Sequence, residues 1–419
     1  MSNNSSISPN NDQLDVPHRY KIVAGTFLAL FGTGTMICTF AVFFKPLSTQ
    51  FGWLRAETSG AFSIAVIISG LMGVIAGRLV DKISPRTVII GFGVIGGGAC
   101  LLLSQMNALW QLYIFYGLLI GSSMANVIPT TSLVTRCFVR QRGLMTGITS
   151  TGGAVSSMIA APGITKLLEI YDWSTSYIIV GVFILLIVVI SGMLLRHAVN
   201  ANPLAQREYT GESVKTPKVR ERGVRKVLRS RLFWIVGVIL FCTTFSQQMI
   251  FVHLIPYTTD IGISPLVAAS MLSVTHVGIA MGSIFSGRVL DMIGSRLAIV
   301  MFVAVNLVAM LLFLAADSAW VFYVFAVLFG IAWGAMVTLR STTIAEIFGL
   351  HSHGAITGAV MLISNIGGAL SPLIAGYIFD ISNGYQSAFL LTTSMVILAL
   401  IMGLWLKFRV TIPLAEGHI

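Results

Sequence analysis

Three ionisable side chains fall deep inside apolar stretches of this 419-residue chain: Arg340, His253 and His276. An ionisable group in such a setting is costly, which makes each a default candidate for function. A guanidinium there can hold an anion or lock a gate; the competing role for Arg340 is snorkelling to a nearby aqueous boundary. Imidazole titrates near pKa 6.5, so it can take or release a proton over the physiological range. The competing role for His253 and His276 is a neutral ring hydrogen-bonded to a neighbouring helix, and for His276 that role ranks first. Around them stand neutral polar groups: Gln247, Gln248, Asn126, Thr35 and Tyr116, with Thr33 and Asn306 as further members; Trp333 could stack on a solute but reads first as simple packing. A pocket for a polar organic molecule needs such donors and acceptors among apolar walls, although each could equally bond helix to helix. No Asp or Glu lies at comparable depth, so any proton carried here needs a His or the solute itself. The chain offers no metal-ligand cluster, no nucleophile–base pair and no phosphate-cradling glycine loop, so the expectation is no enzyme and no cofactor.

The elements that must position these groups follow from composition. Hydrophobic residues make up 56% of the chain and charged ones 10%, against about 25% charged in a soluble domain. The solvent is therefore lipid. About 20 apolar residues cross a bilayer as a helix, and helices satisfy their own backbone. Twelve such spans can be counted, at 20–43, 58–78, 87–105, 110–135, 144–165, 174–195, 232–256, 266–287, 297–316, 319–345, 355–378 and 385–406. Lys and Arg set the orientation. Arg78, Lys82, Arg86, Arg136, Arg140, Arg142, Arg288 and Arg296 share one side, and only Lys45, Arg55 and Lys166 lie opposite. The expectation is a multi-pass protein of the cytoplasmic membrane with both termini in the cytoplasm. The net charge of +11 lies in short gaps and in a basic stretch at 196–231, with no basic patch alternating with aromatics, which argues against nucleic acid. Residues 1–19 read as a polar tail without a signal peptide, and 407–419 as a second tail. Cys38, Cys100, Cys137 and Cys242 read as reduced packing residues.

GRLVDKISPR, from Gly77, returns 210 residues later as GRVLDMIGSR, from Gly287. The expected architecture is therefore all-α, with two pseudo-symmetric six-helix bundles, 20–195 and 232–406. Gly77 and Gly287 can let helices approach closely. Asp81 and Asp291 end their helices, where a carboxylate can bond to basic side chains or to free N–H groups of another helix. Arg86 and Arg296 follow five residues on, so the set can form a charged clasp that closes when the two halves meet.

These residues resemble the signature of the major facilitator superfamily between its second and third helices, matched at Gly77, Leu79, Val80, Asp81, Lys82 and Arg86. Ser84 stands where the family has Gly, so the turn takes a different shape. The resemblance implies two six-helix bundles, a central cavity lined by spans 1, 4, 7 and 10, and rocking-type alternating access. QRGLMTG at 141–147 echoes SHGAITG at 352–358; Gly152-Gly153, Gly367-Gly368 and Pro162 and Pro372 suit close-packed, bending helices. The Gly-Pro-x-x-Gly-Gly run of drug/proton antiporters is missing at Ala161-Pro162-Gly163.

FAVFFKPLSTQFGWLRAETS (40–59) and VHLIPYTTDIGIS (252–264) are similar to the bacterial and archaeal monocarboxylate-porter branch, which includes oxalate/formate-type carriers. That resemblance implies a small carboxylate cargo, often with a proton, and a cation in the cavity, commonly an Arg in span 8. Here Ser283 lies near that place and, within span 8, no Lys or Arg precedes Arg288. The expectation is a secondary transporter, acting as a monomer, for a small organic solute. A carboxylate-bearing metabolite, with a proton as candidate co-substrate, comes first. A neutral or amphipathic solute is the alternative, and a transporter-like nutrient sensor a remote one.

Overall fold

The computed structural model describes residues 16–138, 142–201, 227–348 and 353–406. Every regular element among them is helical. In chain order these are α1 (Val16–Phe51), α2 (Arg55–Lys82), α3 (Pro85–Leu103), α4 (Leu109–Cys137), α5 (Arg142–Ile170), α6 (Trp173–Ala201) and α7 (Arg231–Asp260). A 50-residue run, Pro265–Leu314, follows. At 1.5 Å per residue it would be about 75 Å long if straight, more than twice a hydrocarbon core. It breaks at Gly294, whose φ of 77° suits glycine, into arms numbered α8 (265–293) and α9 (295–314). The chain closes with α10 (Ala319–Phe348), α11 (His353–Ser382) and α12 (Gln386–Trp405). Among the described residues ten stretches are long and apolar enough to cross a membrane, with Pro265–Leu314 counted as one. α5 has the length but less apolar character, because its first half is rich in Gly, Ser and Thr.

Several boundaries differ from expectation. α1 runs on to Phe51 and α7 to Asp260, so Lys45 and Pro46 lie inside a helix and not in a gap. In α1 the apolar count stopped just short of Lys45, a charge that the structure pairs with Asp260; in α7 it stopped at Pro256, which the helix accommodates. Residues 16–19 belong to α1 and 196–201 to α6. The remainder of the N-terminal tail (1–15), most of the basic stretch (202–226) and the C-terminal tail (407–419) lie outside the described residues.

The 210-residue period extends beyond the repeated motif. Pro46 and Pro256 both sit inside helices, and Gly52 and Gly262 both take positive φ, at 67° and 93°. The copies diverge at 84 and 294: Ser84 has φ −49°, while Gly294 has φ 77°. Ser84 thus shapes its turn differently, as the departure from the family pattern implied.

Small residues decide the packing. A Cβ on Gly152 would fall on the Phe27 backbone of α1, and one on Gly367 on the Phe241 backbone of α7. α8 and α10 cross through Gly278, Gly282, Gly330 and Gly334, where an added Cβ would collide with the facing backbone. Two seams join the halves, α2 against α11 and α5 against α8. Large apolar side chains such as Leu186, Ile190, Ile284 and Trp405 stay exposed on the outside, as lipid requires and water would not tolerate.

Candidate functional site: a cavity beneath a charge-latched rim

The ends of α1, α2, α7 and α11 meet at the rim opposite the GRLVDKISPR repeat. Asp260, ending α7, accepts from Lys45 Nζ at 2.7 Å and from Arg55 Nη2 at 2.7 Å. Both cations belong to the first half of the chain. Asp380, ending α11, answers with a contact of the other kind: its oxygens accept the backbone N–H groups of Arg55 (2.9 Å) and Ala56 (2.8 Å). Those are free donors at the first turn of α2, where a carboxylate is favoured by the helix dipole. The Arg55 guanidinium also lies 3.6 Å from the Phe379 ring centre and donates to Tyr385 Oη at 2.6 Å. Gly376 admits the approach, since a Cβ there would come within 2.6 Å of the Arg55 and Ala56 backbone.

The network continues inward through His253. Burial holds the Tyr385 phenol well above its ordinary pKa, so it stays neutral. Having accepted from Arg55, its hydroxyl donates to His253 Nδ1 (3.0 Å), which leaves the ring proton on Nε2, donated to the Pro372 carbonyl at 2.9 Å. That tautomer is assigned from the bonding pattern.

Below this rim, at mid-depth between the halves, lies a cavity of about 360 Å³. Helix α1 contributes Thr33, Gly34 and Ile37, and α5 contributes Ser150 and Ser157; Gln248 and Phe251 come from α7, His276 from α8 and Trp333 from α10. None of its fifteen described lining residues is Lys, Arg, Asp or Glu. His276 Nδ1 lies 2.9 Å from the Leu272 carbonyl one turn back.

Of the residues expected at a binding site, Gln248 lines this cavity and so does His276. Asn126 is buried beside it, with Nδ2 3.5 Å from Thr33 Oγ1 and Oδ1 unpartnered. The others are elsewhere. Thr35 bonds Ser156 at 2.7 Å, joining α1 to α5. Tyr116 donates to the Ile37 carbonyl from a fully buried position. Gln247 is buried on α7 outside the cavity lining. His253 is 0% exposed and serves the latch, so the structural alternative is the one seen. Arg340 lines a small apolar pocket with Val236, Leu240, Ile299 and Met336, and makes no ion pair among the described residues. An anion anchor in the cavity is not its place here.

The repeat rim is differently disposed. Arg86 donates to the Gly192 carbonyl and Arg296 to the Leu404 carbonyl, each within its own half. Asp291 is exposed, without an ion pair among the described residues. Asp81 ends α2, and its side chain lies outside the described residues. A Cβ on Gly77 or Gly287 would meet nothing within 4 Å, and the same holds at Gly147 and Gly358. The close approach expected at Gly77 and Gly287 is therefore absent among the described residues.

Sequence reasoning missed Lys45, Arg55, Asp260, Asp380 and Tyr385 as a set. A signal was present: the latch cations and Asp260 fall within the two stretches that resemble the monocarboxylate-porter branch. The acids on that side were passed over because only Lys and Arg bear on orientation.

The model of the Major Facilitator Superfamily matches residues 22–305 and 236–416. The chain belongs to this superfamily. It is a multi-pass membrane transporter and not an enzyme. It is 29% identical over 362 residues to monocarboxylate transporter 13 of Rattus norvegicus, covering 86% of this chain and 82% of the relative. It is 25% identical over 380 residues to the uncharacterised MFS-type transporter YcxA of Bacillus subtilis (strain 168), covering 88% and 90%. In fold it matches a bacterial homolog of the human lysosomal transporter Spinster, solved inward-facing and unoccupied, with a TM-score of 0.73 over 93% of this chain and 97% of that one at 16% identity. The superfamily fold is thus shared well beyond the reach of sequence similarity.

Proposed function

We propose that this protein is a secondary transporter that passes a small organic solute across the cytoplasmic membrane by alternating access, as a monomer with one central cavity. The observation that carries the reading is the pairing of that mid-depth cavity with unequal rims. Lys45, Asp260 and Arg55 tie the halves together above it, while four glycines of the seam helices face open space at the other end. The excess of Lys and Arg at the repeat rim supports a cytoplasmic position for that rim and both termini, and on that reading the state is inward-open. In the opposite state the latch opens, and Asp81, Arg86, Asp291 and Arg296 become available to close the cytoplasmic rim.

Relatives named monocarboxylate transporters make small carboxylates the first solutes to test, with a proton as co-substrate. A second reading, an uncharged solute, is favoured by a cavity wall without Lys or Arg. The test is counterflow in proteoliposomes loaded in turn with lactate, benzoate, benzamide, a sugar and an amino acid. Trans-acceleration by a loaded solute supports the proposal. A protein that is folded and reconstituted yet exchanges none of them overturns it.

A further inference from the structure

His276 is the one titratable residue among those lining the cavity, and its two ring nitrogens are not equivalent. The Leu272 carbonyl can only accept, so Nδ1, 2.9 Å away, must carry the proton. In the neutral ring Nε2 is then a lone-pair acceptor, and it has no partner among the described residues. Beside it three rings form a corner. Phe251 and Trp333 stand 6.4 Å apart at 89°, and the His276 ring lies 6.3 Å from Phe251 and 6.4 Å from Trp333. The nearby cations are committed elsewhere: Lys45 and Arg55 to Asp260, and Arg340 outside the cavity.

We infer that the cargo occupies this cavity as a net-uncharged solute that donates an N–H or O–H to Nε2 of His276 and lays a planar group in the corner formed by Trp333 and Phe251. The inference rests on the transporter reading and narrows its cargo. An ionised carboxylate offers acceptors only. Here it would meet a lone pair, give up its hydration and find no fixed positive charge, a costly exchange. A carboxylic acid satisfies the site only by bringing its proton. Whether that proton stays on the acid or passes to Nε2, giving an imidazolium–carboxylate pair, the bound complex has no net charge. Gln248 supplies further donors and an acceptor on the same wall. A volume of about 360 Å³ suits a single-ring molecule, since small-ligand sites start at roughly 300 Å³.

Two sources of this chemistry, a neutral amide or alcohol and a protonated acid, are separated by calorimetry on the full-length purified protein. Benzamide and benzoate are titrated in two buffers of different ionisation enthalpy. Expected are benzamide binding with no proton exchanged, or benzoate binding with one proton taken up per molecule, or both. In either case His276→Gln weakens binding at least tenfold, and Trp333→Ala weakens benzamide more than acetamide. Benzoate binding without proton uptake overturns the inference, as does failure of the wild type to bind either probe. If neither binds while another solute shows counterflow, the inference falls and the transporter reading stands. If no solute is exchanged at all, both fall.

Discussion

Arg55 Nη2 and Asp260 Oδ2 lie 2.7 Å apart although they belong to opposite halves of an internally repeated chain. In the repeat, position 50 corresponds to 260 and position 55 to 265, where the chain has Gln50 and Pro265. The pair therefore has no symmetric counterpart, and a single carboxylate gathers both Lys45 and Arg55.

Asp260→Asn should weaken this rim. It leaves Lys45 and Arg55 partly buried without their counter-charge, a loss of about 1–3 kcal/mol for groups that retain some solvent. Expected are a lower thermal midpoint in detergent and faster alkylation of a cysteine placed in the cavity from the side of this rim. Equal labelling in variant and wild type would show that the ion pairs do not hold the rim shut. Lys45→Ala combined with Asp260→Asn should cost less than the two separately, because they share one interaction.

Asp380→Asn removes the charged cap from the first turn of α2 while keeping an acceptor. The expected cost is about 0.5–1 kcal/mol, the scale of a carboxylate's interaction with a helix N-terminus. The loss should shrink as salt is raised. Thermal melts at low and high ionic strength check it, and a salt-independent difference would count against a dipole role.

Gly287→Leu and Gly334→Leu should behave in opposite ways. Space is open around Gly287, whereas a Cβ on Gly334 would strike the α8 backbone. Gly287→Leu is expected to fold with a wild-type melting point and yet to exchange solute at least tenfold more slowly, because closure of the repeat rim brings its helix ends together. Gly334→Leu is expected to fail at folding. Wild-type exchange by Gly287→Leu would mean that this rim closes elsewhere.

Arg340→Gln should leave apparent solute affinity within about twofold of wild type, since the guanidinium does not line the cavity. A selective loss of anion affinity with neutral solutes untouched would bring Arg340 back as the anion anchor. Loss of substrate binding alone is read as a raised KM with kcat unchanged.

The helical architecture was legible because its determinants are local. Apolar length, the Gly77/Gly287 repeat and Lys/Arg asymmetry each lie within one or two segments. The latch was not, because Asp260 and Asp380 acquire meaning only when α7 and α11 reach Lys45 and Arg55 of the other half. His253 and Arg340 misled for a related reason. A sequence shows that a polar group is deep, but the face it presents is fixed by helix rotation: His253 turns toward Pro372 and Tyr385, and Arg340 toward Val236 and Ile299. Gln248 lies on a span that the family resemblance placed around the cavity and it lines the cavity; Trp333, read from the sequence as packing first, lines it as well.

The two seams are tied unequally, one at the latch rim and the other at the depth of the cavity. One holds Arg55 and Ala56 to Asp380, and the other carries a neutral bond from Ser273 to the Met158 carbonyl. A clamshell fastened by ions on one flank and by a hydroxyl on the other will not part evenly. Salt raised on the latch side should loosen the ionic flank first, so salinity there would bias which flank of the mouth gapes.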